Sequence, residues 1–313
     1  MSRSPEDLCH VQDPILTVVT ASLNQGRFLR EMIESVTSQS FRNFEQIVID
    51  GASTDETISI LKEYPHIRWV SEKDNNLLAW RKGFAMARGR YIIQCCVSDG
   101  FLDKHWFRKC VDVLDRDDEV AMVWALPQAM SEAGDLLNVF VPELFTDPPP
   151  QKQDYLGCWL ATGMTMAEGN YCVRSEILRQ HFTSETSEDY FQDQMHLGFV
   201  YQFVTHGYCP LFMPIVASFF RAHGGQRSVE RRGVEAPAAE MYFKRVAEYR
   251  RELLSGKRTH HFRNGHGAVI GQVTAADLPR LRKQIRRHRW LRSRLMRRDL
   301  YTAAQWLGRR FGG

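Results

Sequence analysis

The first 125 residues alternate between short apolar runs, rich in β-branched side chains, and segments with helical spacing. Apolar runs of this length suit parallel strands that are covered by helices on both faces. Strand and helix alternation at this spacing predicts βαβ units with right-handed crossovers. We therefore expect an α/β fold with a mostly parallel sheet flanked by helices. The predicted strands are residues 15–20, 46–50, 67–70, 91–97 and 120–124.

Helical periodicity fills the segments between these strands. The first helix is marked by apolar side chains three or four residues apart, and the second is expected to follow Thr54 as its N-cap. Gly89 is expected to end the third helix. The apolar face of the first helix comprises Phe28, Met32, Ile33 and Val36.

The pattern is looser after residue 125. We expect a loop at 142–153, a strand followed by a helix at 171–178, and a helix at 194–205 closed by Gly207. Pro214 predicts that the strand at 211–220 lies at an edge, and a further helix is expected at 238–255. This predicts a domain over 1–230, with a nucleotide-binding half at 1–125 and an acceptor half at 126–230. Residues 231–313 then form a helical C-terminal extension, in which His260 and His261 read as a solvated basic loop.

The net charge of +4 conceals a strong asymmetry. Residues 279–313 carry eleven arginines, one lysine and one acid, whereas the rest has 29 basic and 36 acidic residues. An acidic body argues against a nucleic-acid partner. On a helical wheel the tail has an apolar arc, which fits either an amphipathic helix on an anionic membrane or a helix packed on the body.

Composition and cysteine usage indicate the compartment. The 43% hydrophobic and 25% charged residues are typical of globular proteins, and no apolar stretch reaches the length of a membrane span. The seven cysteines form no Cys-x-x-Cys pair, which indicates reduced thiols. Residues 1–11 lack the apolar region of a secretory signal. We expect a cytoplasmic protein that is possibly peripheral on the inner face of the cell membrane.

Polar clusters follow three of the predicted strands, at 20–24, 50–55 and 98–100. Ligands of parallel α/β sheets bind outside the carboxyl ends of the strands, where these clusters would meet. Asp50 can accept hydrogen bonds from a base or a ribose, and Gly51 permits close approach of a backbone. Asp99 could hold a divalent ion against a diphosphate. The same residue types also serve turns and helix caps, so the clusters alone leave both interpretations open.

The order and spacing of these motifs resemble the inverting nucleotide-sugar glycosyltransferases of family 2, which have the Rossmann-like GT-A fold. The resemblance is strong over about the first 105 residues, in the stretches 16–29, 47–57, 69–74, 81–83, 89–93 and 98–99. It resumes at 206–208 and, more convincingly, at 219–228. Residues beyond about 230 are not covered.

The resemblance implies a role for each matching position. The nucleotide would be lined by Thr20, Ser22 and Asn24, its base bound by Asp50 beside Gly51, and the loop fixed by Ser53 and Asp55. Asp74 would lie near the ribose. Ser98 and Asp99 would belong to the metal and diphosphate motif, and His223 would close over the diphosphate. Arg81 and Lys82 stand where the family has an Asn-x-Gly motif, and a cation there could neutralise phosphate charge.

Two departures from the family bear on the metal. The family's Ser-Asp-Asp reads Ser-Asp-Gly here, so Gly100 replaces an acid that is often a direct ligand. Dependence on Mn²⁺ or Mg²⁺ is therefore in doubt, with Asp103 as a substitute ligand. The family's aromatic residue before Asn24 is Leu23.

Inverting transfer needs a general base that takes the proton of the acceptor hydroxyl. By alignment with the family, the base should lie before the helix that ends at 206–208. We rank Asp193 first, followed by Glu188, Asp189 and His196, with Glu168 as a further candidate. Acids at 188 and 189 equally suit the start of a helix.

These features together predict an inverting glycosyltransferase that uses a nucleotide-diphosphate sugar and a glycan or lipid-linked acceptor, in surface polysaccharide or lipopolysaccharide assembly. One alternative is a catalytically degenerate glycan-binding or scaffold subunit. Another is a nucleotidyltransferase, although 20–27 contains one glycine and no lysine for a phosphate loop.

Overall fold

The computed structural model describes residues 13–73, 76–139, 150–166, 169–182, 195–224, 232–291 and 293, with the backbone alone at 76–77 and 232–238. The strands are β1 Leu16–Ser22, β2 Phe44–Asp50, β3 Ile67–Ser71, β4 Tyr91–Gln94, β5 Gly100–Phe101, β6 Val120–Met130, β7 Leu136–Val139, β8 Cys172–Arg174, β9 Cys209–Arg221, β10 His261–Arg263 and β11 Val269–Gln272. The helices are α1 Gly26–Thr37, α2 Thr57–Glu63, α3 Asn76–Met86, α4 Trp106–Arg116, α5 Tyr155–Thr162, α6 Ser175–His181, α7 Met195–Thr205, α8 Arg232–Leu254 and α9 at 278–291.

Nine strands form one sheet in the order β3-β2-β1-β4-β8-β6-β9-β5, with β7 paired to β6. Strands β3, β2, β1 and β4 are parallel, as the alternating pattern predicts. Strand β8 runs antiparallel to both β4 and β6, while β6 and β9 are parallel to each other. The predicted α/β class is confirmed, with its purely parallel part in the N-terminal half and mixed pairing beyond β4.

Helices cover both faces of the sheet, so alternate residues of each strand enter different cores. Val19 of β1 packs with Ile47 and Ile49 of β2 on the α3 and α5 side. Val18 and Val48 point to the opposite face, against α1 and α4. This explains why the central strands are apolar throughout rather than alternating.

The second helix begins later than predicted. Helix α2 starts at Thr57 with Glu56 in the cap position, so Thr54 is not its N-cap. The Thr54 backbone N–H instead donates to Asn24 Oδ1 over 2.8 Å. Thr54 is engaged in a hydrogen bond to the neighbouring loop instead of a local cap, and the helix starts two residues later than predicted.

Strand β9 is the last but one strand of the sheet, and its stretch around Pro214 is an edge, as predicted, because among the described strands it pairs with β6 alone. Its outer neighbour β5 pairs only with Ser218 and Phe219. Its register against β6 shifts between the partners of Trp124 and Leu126, where Pro214 falls. Proline is tolerated because this irregular stretch needs no ladder hydrogen bond from its nitrogen.

The C-terminal segments pack on the body. His260 is 1% exposed and its Nδ1 lies 2.8 Å from the Tyr249 hydroxyl, so the expected solvated loop at this position is wrong. In α9, Leu281 and Ile285 join the main core, and Arg280 reaches Asp154 over 3.1 Å. Of the two alternatives for the tail, packing on the body therefore applies to 278–291. Residues 294–313 lie outside the described part of the chain.

Within the described ranges, none of the helices combines the length and the apolar character needed to cross a membrane.

Candidate functional site

The carboxyl ends of the first three strands are aligned by their register. Ser22 of β1 pairs with Asp50 of β2, which in turn pairs with Ser71 of β3. The Gly51 N–H donates to the Ser22 carbonyl over 2.8 Å, and the Glu72 N–H donates to the Asp50 carbonyl over 3.0 Å. The polar residues predicted to meet at this edge do meet there.

Asp50 is the centre of a hydrogen-bond network at this edge. Its carboxylate is fully buried. Oδ2 accepts from the Ser53 N–H at 2.9 Å and from the Ser71 hydroxyl at 2.7 Å, and Oδ1 accepts from the Ser53 hydroxyl at 2.5 Å. Asp50 thus fixes the loop after β2 from within, and its contact with a base stays a prediction.

The loops after β1 and β2 are joined to each other. The Asn24 N–H donates to Ser53 Oγ at 2.7 Å, and Asn24 Oδ1 accepts from Thr54. Asn24 has φ of 51°, a left-handed conformation that Asn tolerates better than most residues. The predicted loop residues therefore act as one unit whose shape depends on Asp50.

Asp55 fixes the start of α1. Its Oδ2 accepts from the Gly26 N–H at 2.9 Å and its Oδ1 from the Thr57 N–H at 3.0 Å. Burial alone would raise the pKa of Asp55, but the hydrogen bonds from Thr57 and Gly26 outweigh it and lower the pKa. A Cβ on Gly26 would lie 2.7 Å from Glu56 Cγ, so only glycine allows this approach.

The side chains at the end of β1 face in different directions. Thr20 is fully buried and its hydroxyl lies 3.9 Å from Met32 Sδ, so it faces the core and does not line the crevice as expected. Ser22 Oγ is buried and has no hydrogen-bond partner among the described residues. Leu23 is 54% exposed, and its Cδ1 would lie 3.3 Å from a Cβ on Gly51. An orphaned hydroxyl and an exposed apolar side chain thus flank Asp50.

Asp99 follows β4 on the same edge. Its Oδ1 accepts from the Ser98 hydroxyl and from the Arg221 backbone N–H, both at 3.2 Å. A Cβ on Gly169 would lie 3.5 Å from Asp99 Oδ2. Asp99 therefore connects the end of β4 to the end of β9, and it also lies close to Gly169.

The end of β9 lies against the start of α1. The side chain of Arg27 forms an ion pair with Glu132 at 2.6 Å and lies 3.3 Å from His223 Nδ1. The His223 ring is buried against Phe28, with centroids 4.9 Å apart. Buried Arg221 reaches Glu31 of α1 over 2.5 Å. His223 therefore lies beside the start of α1, where Arg27 adds a cation. That His223 closes over a diphosphate stays a prediction.

Three further residues were predicted for the donor site, namely the cations Arg81 and Lys82 and the ribose ligand Asp74. Lys82 forms an ion pair with Glu72, which follows β3. Arg81 is half-buried on the same helix, α3. Asp74 lies outside the described residues.

Four of the five general-base candidates, Glu168, Glu188, Asp189 and Asp193, lie outside the described residues. His196 is half-buried on α7, with Nε2 2.9 Å from the Met166 carbonyl and its ring stacked on Tyr171. The Tyr171 hydroxyl donates to Gln94 at the end of β4 over 2.8 Å. His196 is therefore held by its surroundings, and Nδ1 is the nitrogen without a partner in the described part of the chain.

The described residues do not fit a two-carboxylate metal site. A Cβ on Gly100 would lie 2.7 Å from the Phe219 ring and from Ser35 Oγ, so the space of the missing acid is filled. Asp103 does not substitute, because its carboxylate binds Lys109 Nζ at 2.5 Å and the His105 N–H. No group of three potential ligand side chains is found in the described ranges. Of the two carboxylates Asp99 and Asp103, both among the described residues, Asp99 is the one that could bind a divalent ion.

Two residues of the site were missed at the sequence level. Ser71 follows from the register of β3 on β2, which places it opposite Asp50. Arg27 was quoted as part of a motif, but its charge beside His223 depends on β9 reaching α1. A helix start that follows a binding loop is a position where a cation can meet an anionic ligand, and this was the available signal.

The comparisons with known proteins agree with this architecture. Crystallised Staphylococcus aureus TarS 1–349 in complex with UDP superposes with a TM-score of 0.51 at 14% identity, over 77% of this chain and 72% of that one. This likeness supports the fold. The GT-A assignment made from the motifs is confirmed.

Curated relatives match less than half of this chain. Chondroitin synthase of Escherichia coli is 27% identical over 130 residues, which are 40% of this chain and 19% of that protein. The putative teichuronic acid biosynthesis glycosyltransferase TuaG of Bacillus subtilis is 26% identical over 153 residues, 46% of this chain and 60% of that protein. The putative glycosyltransferase EpsE of the same organism is 41% identical over 86 residues, 25% and 31% of the two chains.

The matched segments span less than two thirds of these relatives. The profile of glycosyl transferase family 2 matches residues 17–167, which contain the Asp50 network and Asp99. The resemblance drawn from the motifs is confirmed: over residues 17–167 this chain matches glycosyl transferase family 2.

Proposed function

We propose that the chain transfers a sugar from a nucleotide-diphosphate donor to a glycan or lipid-linked acceptor, with inversion at the sugar C1, in surface polysaccharide or lipopolysaccharide assembly. The observation that carries the proposal is the loop organised by Asp50 at the carboxyl edge of the sheet. The names of two relatives, a chondroitin synthase and a teichuronic acid biosynthesis glycosyltransferase, support the setting.

The nucleoside would rest on the loops that Asp50 holds. The exposed side chain of Leu23 offers an apolar surface for one face of the base, where the family has an aromatic residue. The orphaned hydroxyl of Ser22 offers a hydrogen bond that a bound ligand would complete. Backbone groups at Gly51 would approach closely because no side chain intervenes.

The diphosphate would lie between the start of α1 and the end of β9. The N-terminal end of a helix favours anions, and Arg27 and His223 add donors beside it. Arg27 is half-exposed and its ion pair with Glu132 lies at the surface, so exchanging that carboxylate for a phosphate costs little. These groups would stabilise the negative charge of the leaving nucleotide.

Inversion requires the acceptor hydroxyl to attack C1 from the face opposite the leaving diphosphate. A carboxylate must take the hydroxyl proton within about 2.6–3.2 Å, directly or through water. Asp193 is our first candidate, ahead of Glu188, Asp189 and His196. Glu168 is supported by its sequence neighbour Gly169, which lies against Asp99.

The donor site is tested by thermal unfolding with UDP, GDP, CMP and dTDP, each with Mn²⁺, Mg²⁺ or EDTA. A ligand at about 100 times its Kd stabilises the fold by about 2.7 kcal/mol, which is a measurable shift. We expect one nucleotide to stabilise the wild type but not Asp50→Asn. Glu63→Gln, which removes an exposed carboxylate from an ion pair on α2, is the matched control.

The metal arm of this panel decides between two forms of the site. A shift that survives EDTA would assign charge neutralisation to Arg27, His223, Arg81 or Lys82. A shift that needs Mn²⁺ or Mg²⁺ would assign the ion to Asp99 and ligands beyond the described residues. No shift with any nucleotide would contradict the proposal.

The filled space at Gly100 also favours a second candidate, a degenerate glycan-binding or scaffold subunit. Hydrolysis of a nucleotide sugar distinguishes the two, because a scaffold would show none. We expect slow hydrolysis that Asp99→Asn abolishes. Asp193→Asn should lower transfer while leaving the nucleotide-induced thermal shift intact, which separates the base from the donor site.

A peripheral membrane location is part of the proposal. The outward face of α9 exposes Arg282, Lys283, Arg286, Arg287 and Trp290. Deleting residues 279–313 would also remove Leu281 and Ile285 from the core, so charge substitution is the cleaner test. Replacing these four basic residues by Gln should weaken co-sedimentation with anionic liposomes. Unchanged co-sedimentation would show that this face does not bind the membrane.

A further inference from the structure

A cleft of about 640 Å³ opens at the amino-terminal edge of the sheet, away from the candidate donor site. It lies where β4 begins, between α6, the turn before β9 and the β10–β11 hairpin. Its basic lining includes Arg90, Arg174, Arg179, His181, His206 and Arg263.

The cleft and the donor site are separate. Tyr91, in the cleft wall, is paired with Leu16 at the start of β1, while Ser22 ends the same strand at the donor edge. Six residues of strand, at about 3.3 Å each, place the two edges about 20 Å apart. A ligand of one site therefore does not contact the other.

The hairpin fixes Arg263 at the cleft. Its backbone N–H donates to the Gly207 carbonyl at 2.8 Å, and it forms a bridge with Tyr208. A Cβ on Gly207, whose φ is 87°, would lie 1.7 Å from the His261 carbonyl oxygen. This contact requires glycine, so the hairpin is docked in one position and Arg263 with it.

Backbone carbonyls, more than carboxylates, orient the guanidinium groups. Arg179 donates to the carbonyls of Phe84 and Ala87 at 3.1 and 2.6 Å. Arg263 donates to the Gly267 carbonyl at 2.7 Å and forms no ion pair with an acid of the described residues. Carbonyls orient these cations without neutralising them.

Acids pair with the other arginines of the cleft. Arg88 pairs with Glu45 and Arg90 with Asp115, both at 3.0 Å. Arg174 lies 3.6 Å from Asp118, and Arg179 lies 3.8 Å from Glu176, whose side chain is 80% exposed. Among the described residues, Arg263 is therefore the guanidinium of the cleft without an ion pair.

Two histidines face each other at one end of the cleft. The rings of His181 and His206 have centroids 4.3 Å apart, and neither nitrogen of His181 has a hydrogen-bond partner in the described ranges. Burial, together with the charges of His206 and Arg263, lowers the pKa of His181 to about 4. His206 Nδ1 lies 2.8 Å from the Gln202 carbonyl, so Nε2 is the nitrogen of His206 that is left for a ligand.

We propose that this cleft binds a phosphate group, with Arg263 and the two histidines His181 and His206 as its ligands. A phosphate carries up to two charges and three acceptor oxygens, which matches a guanidinium fork beside two ring nitrogens. Its source is either a small phosphate ester in solution or the headgroup of an anionic lipid.

The test is calorimetric titration of the full chain with inorganic phosphate and with glycerol 3-phosphate, using acetate as a comparison anion. Arg263→Gln should weaken phosphate binding about tenfold, since it removes a charged hydrogen-bond donor. His206→Gln should weaken it less. Arg251→Gln on α8 removes an exposed arginine outside the cleft and should leave phosphate binding unchanged. Far-UV circular dichroism of each variant shows that the fold is kept.

Binding to vesicles of phosphatidylglycerol and of phosphatidylcholine distinguishes the two sources of the phosphate, a soluble ester and a lipid headgroup. Binding of glycerol 3-phosphate that Arg263→Gln weakens supports a soluble ester. Binding to phosphatidylglycerol vesicles alone, weakened by Arg263→Gln but not by Arg251→Gln, supports a lipid headgroup. The proposal is overturned if neither ligand binds, if acetate binds equally well, or if Arg263→Gln and Arg251→Gln behave alike.

Discussion

The two halves of the sheet hold their polar side chains in different ways. In the N-terminal half, Asp50, Ser53 and Asn24 bond within two adjacent loops, through short side chains and backbone groups. In the C-terminal half the bonds join distant segments, as between the Trp159 indole and the Tyr242 hydroxyl at 2.9 Å. His260 and Tyr249 are a second buried pair there.

The N-terminal half therefore holds the loops of the candidate donor site, whereas the C-terminal half completes the hydrophobic core. A site made of strand ends and short loops is defined by local sequence and can be carried by many chains. The aromatic packing around α5, α7 and α8 closes the core over the sheet. Substitution in the Asp50 loops should therefore lower ligand binding as well as stability, whereas substitution within this aromatic packing should lower stability alone.

The largest effect is expected from Asp50→Ala. It leaves the Ser53 N–H and the hydroxyls of half-buried Ser53 and exposed Ser71 without the acceptor that Asp50 supplies. A hydrogen bond to a charged group contributes about 1.5–3 kcal/mol, and because water can reach these donors the total loss should be about 2–4 kcal/mol. Urea unfolding measures the loss, and nucleotide binding should be lost as well. A loss of binding without a loss of stability would contradict the positioning role.

The C-terminal half should make stability depend on pH. Burial, followed by the charge of His261, lowers the pKa of His260 to about 4. The unfolded chain, with a His pKa of about 6.5, binds the proton first, so stability is full above pH 6.5 and falls as the pH drops towards 4. The contribution of His260 is at most about 3 kcal/mol.

Urea unfolding at several pH values between 7 and 4 measures this slope. His260→Gln keeps an acceptor for Tyr249 and should flatten the profile. His181, whose pKa is also lowered to about 4, keeps part of the slope in the variant. An unchanged profile in His260→Gln would place the pH dependence elsewhere.

Gly100→Asp tests the boundary between the halves. The added side chain meets the Phe219 ring and Ser35, and overpacking of this kind costs about 1–3 kcal/mol. Thermal unfolding should show the loss, and the double variant with Phe219→Ala should lose less than the two single variants together. Additive losses would mean that the ring and the new acid do not compete for space.

The smallest effect is expected from Tyr242→Phe. The variant removes the acceptor of the Trp159 indole N–H while the ring packing remains, which should cost about 1 kcal/mol. Nucleotide-induced stabilisation should be unchanged, because α8 is remote from the Asp50 loops. A reduced nucleotide response would show that the two halves are coupled.

The parallel strands and the loop residues were predictable because each depends on its own stretch of sequence. Apolar runs define β1 to β4, and the register that follows brings Ser22, Asp50 and Ser71 together. The motifs around Asp55 and Asp99 could be read for the same reason. The motifs could not give the direction in which each side chain points, so Thr20 was expected to line the nucleotide and is buried in the core.

The remaining features depend on contacts between distant residues. His260 lies in a polar stretch and gives no sign of burial, which comes from Tyr249 on α8 and Phe262. The start of α2 moved because Thr54 bonds across to Asn24. In each case a tertiary contact outweighed a local preference.

Gly100 and Phe219 also constrain how sequences of this architecture change over generations. An acid at 100 and a ring at 219 compete for one volume, so the effect of a change at either position depends on the residue at the other. Losing the ring first leaves a cavity, and gaining the acid first forces two large groups together, so both intermediates are destabilised. A chain with stability to spare can pass through either intermediate, whereas a marginally stable chain has to change both positions together.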